Sequence, residues 1–147
     1  VPLIISVPSK KPSVCDSFVE LLDLYPTLSS LCGLPKQDRL QGKDISPMLD
    51  DPSYEVREEA FCVAPMRTGF LLRNKKWAFI QYGEKLPAQL KGGFEHGRNG
   101  IELFDMEQDP QQFTNLTDTL KYQPVVQSFR KKLQGKLAVI RDCDLKK

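Results

Sequence analysis

Glu102-Leu103-Phe104-Asp105-Met106-Glu107-Gln108-Asp109-Pro110, followed after a polar link by Asn115-Leu116, is the stretch on which the fold turns. Residues 101–105 have the composition of a short strand. Asp109 and Pro110 then force a sharp turn, and Leu116 supplies an apolar anchor beyond it. Three further short runs lie upstream, at residues 60–64, 69–73 and 76–82. Asn74-Lys75 reads as a two-residue turn joining the last two of these into a hairpin. Phe70 and Leu72 share one face of the first arm, and Trp77 and Phe79 share one face of the second. Residues 83–99 read as a Gly-rich loop built around Lys91-Gly92-Gly93-Phe94-Glu95-His96-Gly97. Downstream, residues 124–140 carry Val126, Phe129, Leu133, Leu137 and Ile140 in one stripe, with Pro124 suited to the first helical position. Arg130, Lys131, Lys132, Lys136 and Arg141 form the wet side of that helix. Four antiparallel strands with one amphipathic helix over one face make a small α+β layer.

The first third has a different character. Leu3-Ile4-Ile5-Ser6-Val7 is an unbroken apolar run, the pattern of a strand buried on both faces of a parallel sheet. Its neighbours are expected outside this chain. Residues 17–31 carry Phe18, Leu21, Leu22, Tyr25, Leu28 and Leu31 at helical spacing, interrupted by Pro26. A fresh helix start with Asp23 as N-cap and Pro26 in the first turn fits better than a kink. Gly33 then closes the helix, with Pro35 behind it. An extended polar connection follows, with one short turn at Ser46-Pro47-Met48-Leu49. Asp50-Asp51-Pro52-Ser53 marks the boundary with the second half.

Composition bounds the function. The 147 residues suffice for one ordinary domain, and 40% hydrophobic with 27% charged residues is globular composition. A net charge of +2 argues against a nucleic-acid partner. No apolar run approaches the roughly 20 residues of a membrane span. Cys15, Cys32, Cys62 and Cys143 lack a C-x-x-C pair, which argues against zinc and leaves both disulfides and free thiols open. Asn115-Leu116-Thr117 is a glycosylation sequon, meaningful only in a secreted protein.

Five segments, in order, resemble the C-terminal portion of the sulfatase family, within the alkaline-phosphatase-like superfamily. Val1-Pro2-Leu3-Ile4-Ile5 is similar to that family's V-P-L-I-I strand. Leu21-Leu22-Asp23-Leu24-Tyr25-Pro26-Thr27-Leu28, with Gly33-Leu34-Pro35, resembles its D-L-x-P-T-L segment. Leu40-Gln41-Gly42-Lys43-Asp44-Ile45-Ser46-Pro47-Met48-Leu49, the hairpin at Leu72-Arg73-Asn74-Lys75-Lys76-Trp77, and the opening stretch complete the set. The resemblance implies an α/β fragment plus an α+β part. Residues 1–52 would form the edge of the large α/β sulfatase domain. Residues 53–147 would form a small C-terminal subdomain, a four-stranded antiparallel sheet packed on a C-terminal helix.

The resemblance further implies hydrolysis of a sulfate ester or N-sulfate. In that family a Cys or Ser in a Cys-x-Pro-Ser-Arg motif becomes formylglycine, and calcium is bound beside it. Those motifs precede the V-P-L-I-I strand. Calcium and formylglycine are therefore expected in an N-terminal catalytic part, which is the expected partner, and none is expected on this chain. The chain reads as a cut from a longer enzyme whose Cys/Ser-x-Pro-x-Arg motif lies upstream of Val1. By itself it is expected to be inactive. The expected substrate is a sulfated small molecule or sugar, with neither nucleic acid nor membrane as partner. The family is compatible with a periplasmic, secreted or lysosomal setting without fixing one. The rivals are a phosphoric or phosphonate monoester hydrolase with a similar C-terminal segment, and a non-catalytic interaction module.

Five residues are candidates for contact with an anionic substrate. His96 lies in the Gly-rich loop, and its plain alternative is an exposed loop histidine. Arg73 matches an Arg frequent in the family and suits a bidentate sulfate contact, or else a structural ion pair. Arg67 follows Pro65-Met66 in a loop between strands. Lys10 and Lys11 lie beyond the C-terminal end of the presumed parallel strand, the edge where open α/β sheets bind ligands; a solvated loop is the simpler reading. Trp77 and Phe79 could stack on a sugar ring, although core packing explains both. Cys62-Val63-Ala64-Pro65-Met66-Arg67 is the nearest approach to the nucleophile motif, but its Pro comes one residue late and no Ser precedes the Arg, so Cys62 is rejected as nucleophile.

Overall fold

The computed structural model describes residues 2–8, 10–63, 69–82 and 100–142. The chain divides into two compact units, Val1–Ala60 and Phe61–Lys147.

The first unit is organised by helix α1, Leu24–Leu31, which follows a short 3-10 turn at Leu21–Asp23. Glu20 is extended, and its N–H donates to the Asp23 carboxylate, so residues 17–20 stay outside the helix that the apolar spacing suggested. Asp23 is the N-cap and Pro26 lies in the first turn, where a missing N–H costs nothing. At the other end Gly33 has φ +67°, its N–H donates to Ser30 O, and the Leu34 N–H donates to Ser29 O. Those paired bonds satisfy the last carbonyls, and the left-handed turn they need is one that glycine adopts without strain.

The apolar spacing of α1 does not mark its buried face. Leu21 is 85% exposed and Leu28 57%, whereas Asp23 and Thr27 are buried. Polar latching explains the inversion. The Lys43 N–H donates to Asp23 Oδ1, and the Ile45 N–H donates to the Thr27 hydroxyl. The loop passes so close that a Cβ on Gly42 would sit 1.8 Å from the Leu22 carbonyl oxygen. Residues 43–45 thereby lie along the helix and lead into the 3-10 turn Ser46–Leu49, at the expected place. Residues 3–7 form no strand: Ile4 is exposed, and the ladder such a run requires has no counterpart among the described residues of this unit.

The second unit is built on a sheet of order β1-β2-β3-β4, comprising β1 Ala60–Val63, β2 Gly69–Arg73, β3 Trp77–Tyr82 and β4 Ile101–Asp105. The pairs β2/β3 and β3/β4 are antiparallel, with Leu72 opposite Phe79 and Phe79 opposite Leu103. The hairpin turn is one residue later than the sequence suggests. The Asn74 N–H donates to Trp77 O, which leaves Lys75-Lys76 as the central pair. Asn74 Oδ1 accepts from the N–H groups of Lys76 and Trp77, so the side chain draws Asn74 into the ladder and caps the turn.

Helix α2, Gln123–Asp142, covers one face of the sheet after a 3-10 turn at Leu120–Tyr122. Pro124 is its second residue rather than its first, still within the turn that tolerates it. Val126, Phe129 and Leu133 join Leu72, Phe79, Ile101 and Leu103 in one buried cluster, with the Phe79 and Phe129 rings 5.5 Å apart. Each fully buried Leu or Phe contributes roughly 1.5–3 kcal/mol by leaving water. No helix among the described residues is long and apolar enough to cross a membrane.

The far edge of β4 is closed by its own downstream chain. Asn115 Oδ1 accepts from the Leu103 N–H, and the Leu116 N–H donates to Leu103 O. An open strand edge is a template for unwanted pairing, and this clip occupies it. Asp105 ends the strand by accepting the N–H groups of Glu107 and Gln108.

Candidate functional site

The sheet positions its functional side chains by parity. Leu72, Phe79 and Leu103 face α2, so Gly69, Arg73, Ala78, Tyr82 and Glu102 belong to the opposite face. On that face Tyr82 lies opposite Gly69, and its hydroxyl donates to Glu102 Oε2 at 3.1 Å. The Tyr82 N–H donates to the carbonyl of Gly100, whose φ of +64° starts β4. Burial, together with the adjacent Glu102 carboxylate, pushes the Tyr82 phenol up to about 12. It therefore stays a neutral donor at any physiological pH. The single phenolic proton is thus committed to Glu102, and the pair stands at residues flanking the 83–99 segment.

Arg73 closes β2 opposite Ala78 and is exposed. It lies four residues, roughly 13 Å, along the strand from Gly69, at the hairpin end of the sheet. Tyr82 and Arg73 thus occupy opposite ends of one face. His96 and Arg67 lie outside the described residues, as do residues 64–68 and 83–99 as a whole. In the first unit, Lys10 forms an ion pair with Asp50, while Lys11 is exposed. Of the five candidates, the described residues thus place Lys10 and Lys11 as chain neighbours in the first unit and Arg73 in the second. Phe79 has no exposed surface, which removes it as a platform for a sugar.

Sequence reasoning missed Arg57. Its guanidinium grips the Asp23 carboxylate with two nitrogens, one of them at 2.7 Å, and its Nε lies 3.8 Å from Glu20. Burial pushes the Asp23 carboxyl up. The Arg57 guanidinium and the N–H groups of Lys43 and Glu20 outweigh it and hold the group below its usual value. Asp23 was legible as a helix start, but nothing in the spacing marks a partner 34 residues away. The same unit holds a cavity of about 430 Å³ beside the end of α1, lined by Ser29, Ser30, Lys36, Lys43 and Asp44 among others.

The described residues do not fit a calcium site, since no three His, Cys, Asp or Glu side chains converge among them. Cys15, Cys32 and Cys62 are free thiols, and Cys62 is exposed on β1. Of the buried polar groups, Asp105 serves the turn after β4 and Thr117 the β4 clip.

A model of the N-sulphoglucosamine sulphohydrolase C-terminal family matches residues 1–138. Arylsulfatase K of Gallus gallus is 29% identical over 150 residues, covering 92% of this chain and 25% of that protein. The chain thus spans about a quarter of the length of that curated relative. Among solved structures, a putative sulfatase from Bacteroides thetaiotaomicron superposes over 82% of this chain and 25% of its own, with a TM-score of 0.62 and 24% identity. The phosphonate monoester hydrolase of Agrobacterium radiobacter covers 83% and 25%, with a TM-score of 0.59 and 20% identity. Likeness at these identities carries the fold alone.

Proposed function

Because the chain belongs to the N-sulphoglucosamine sulphohydrolase C-terminal family, we propose that it is the scaffold and cleft-rim portion of a sulfuric ester hydrolase acting on sulfated sugars. The observation that carries this reading is the family match across residues 1–138, which embraces both units. Calcium and formylglycine chemistry would reside in the N-terminal part of the enzyme, and no step of it is assigned to these residues.

The role proposed for this chain is binding and support. Residues 1–52 would complete the edge of the large domain and the residues from Phe61 onward would form the subdomain, with residues 53–60 grouped with the first unit. Leu21, Leu22, Tyr25, Leu28 and Leu34 leave an exposed apolar surface, which supports cover by the N-terminal part of the same enzyme. His96 and Arg67 would contact the sulfated substrate from segments rooted at the Tyr82–Glu102 end of the sheet. Arg73 and Lys11 are weaker candidates for the same role. Lys10 is weaker still, because Asp50 already neutralises it.

The test is turnover by the intact enzyme that carries this sequence. Sulfate release from N-sulfated and O-sulfated glucosamine is expected, with His96→Ala and Arg67→Ala raising KM about tenfold each, the worth of one charged contact of roughly 1.4 kcal/mol. The 147-residue chain alone should release none. Hydrolysis of a phosphonate monoester without sulfate release would establish the phosphoric or phosphonate hydrolase reading instead. Unchanged KM in both variants would remove His96 and Arg67 from the rim.

A further inference from the structure

Three elements converge at the hairpin end of the second unit. Trp77 opens β3 on the face that meets α2, opposite Asp105 at the end of β4. The Met106 N–H donates to the Lys76 carbonyl, drawing the chain after β4 beside the turn. Tyr122 arrives from the 3-10 turn that precedes α2. The Trp77 and Tyr122 rings meet edge to face, 5.7 Å apart at an angle of 67°. Both are half-buried: their inner sides pack on the core cluster and the remainder is accessible.

Each ring carries an ammonium. Lys76 Nζ lies 5.5 Å from the Trp77 ring centre and Lys121 Nζ 5.2 Å from that of Tyr122. Core packing accounts for the aromatic pair but not for two cations held over adjacent rings. Glu107 stands 3.6 Å from Lys76, with half or more of each side chain exposed, so solvent screens that pair strongly. The Asp105 carboxylate is engaged by the N–H groups of Glu107 and Gln108. Lys121 has no carboxylate within ion-pair distance among the described residues. An ammonium already confined by cation–π attraction loses less freedom on taking an anion.

We propose that Lys76, Trp77, Lys121 and Tyr122 form a binding surface for sulfated saccharide chains. The ammonium groups would take sulfates on neighbouring sugars, and the exposed ring surfaces would meet the apolar C–H faces of the pyranoses. An acidic peptide lacks such faces, and a net charge of +2 is low for a nucleic-acid surface. The choice of sulfate over another anion rests on the sulfatase reading. The surface itself rests on the ring and ammonium geometry.

Trp77 is the sole tryptophan, so indole emission reports directly on this surface. The chain is titrated with a heparin hexasaccharide, with the same oligosaccharide after desulfation, and with single-stranded DNA of matched charge. A saturable emission change with the sulfated sugar alone is expected. Lys76→Ala and Lys121→Ala should each weaken it about fivefold, the equivalent of roughly 1 kcal/mol per lost ion contact. Lys131→Ala, on the exposed side of α2, should leave it unchanged. Circular dichroism of each variant guards against misfolding. An absent emission change, an equal loss in Lys131→Ala, or equal binding of DNA would each overturn the proposal. Binding is read without turnover. If the intact enzyme released no sulfate while the titration still saturated, the activity reading would fail and the surface would stand.

Discussion

Asp23 has no solvent exposure and receives four donors: the N–H groups of Glu20 and Lys43 and two guanidinium nitrogens of Arg57. Removing one member of such a buried pair strands the other charge, at a cost of about 3–5 kcal/mol. Asp23→Asn should therefore lower the unfolding free energy by about 3 kcal/mol, read from urea midpoints near pH 6. The pH dependence has a definite sign. The folded carboxyl titrates below its usual value of 3.8, so its contribution is complete above that pH and is lost as pH falls through the folded value. The gap between wild type and Asp23→Asn should narrow below about pH 3.8. A gap that stayed constant as the pH falls through the folded carboxyl's titration would show that charge is not the cause. Asn115 shows a related economy. Its sequon was legible, but only the fold reveals that the side-chain oxygen accepts from Leu103 N–H, Thr117 N–H and the Thr117 hydroxyl.

Helices α1 and α2 share an apolar periodicity and use it oppositely. In α2 the stripe is core: Leu133 is 1% exposed among Phe79, Leu103 and Phe129. In α1 the stripe lies open and the buried face is polar, because Asp23 and Thr27 hold residues 43–45. Leu133→Ala should cost about 2–5 kcal/mol by leaving a cavity. Leu28→Ser in this chain should fall within about 0.5 kcal/mol of wild type. Thermal unfolding of both variants compares them, and a Leu28→Ser loss as large as that of Leu133→Ala would show that the α1 stripe is buried in solution. Strand positions were legible because period-two patterns and turn residues are local. The hairpin turn moved by one residue because Asn74 Oδ1 captures two downstream N–H groups, a choice that composition leaves open.

At the scale of the whole molecule, every described member of the sheet–helix core lies between Phe61 and Leu137, within the second unit. That unit should need nothing from the first. A piece comprising residues 60–147 should retain slow hydrogen exchange at the Phe79 and Leu103 amides. Fast exchange there would show that the core depends on residues 1–59. In the first unit, residues 54–57 are tied back through Lys43 Nζ on Val56 O and Arg57 on Asp23.

The sequence alone determined the four strands, the covering helix, the glycine-closed end of α1 at Gly33 and the family resemblance. All of these rest on contacts or patterns a few residues long. Only the tertiary structure decided which face of α1 is buried, that Arg57 answers Asp23, that Asn115 closes the sheet edge, and that Trp77 stands beside Tyr122 between two ammonium groups. Those choices join residues 12 to 45 positions apart. Their energies depend on burial and on donors aimed from elsewhere in the chain, which no local pattern encodes.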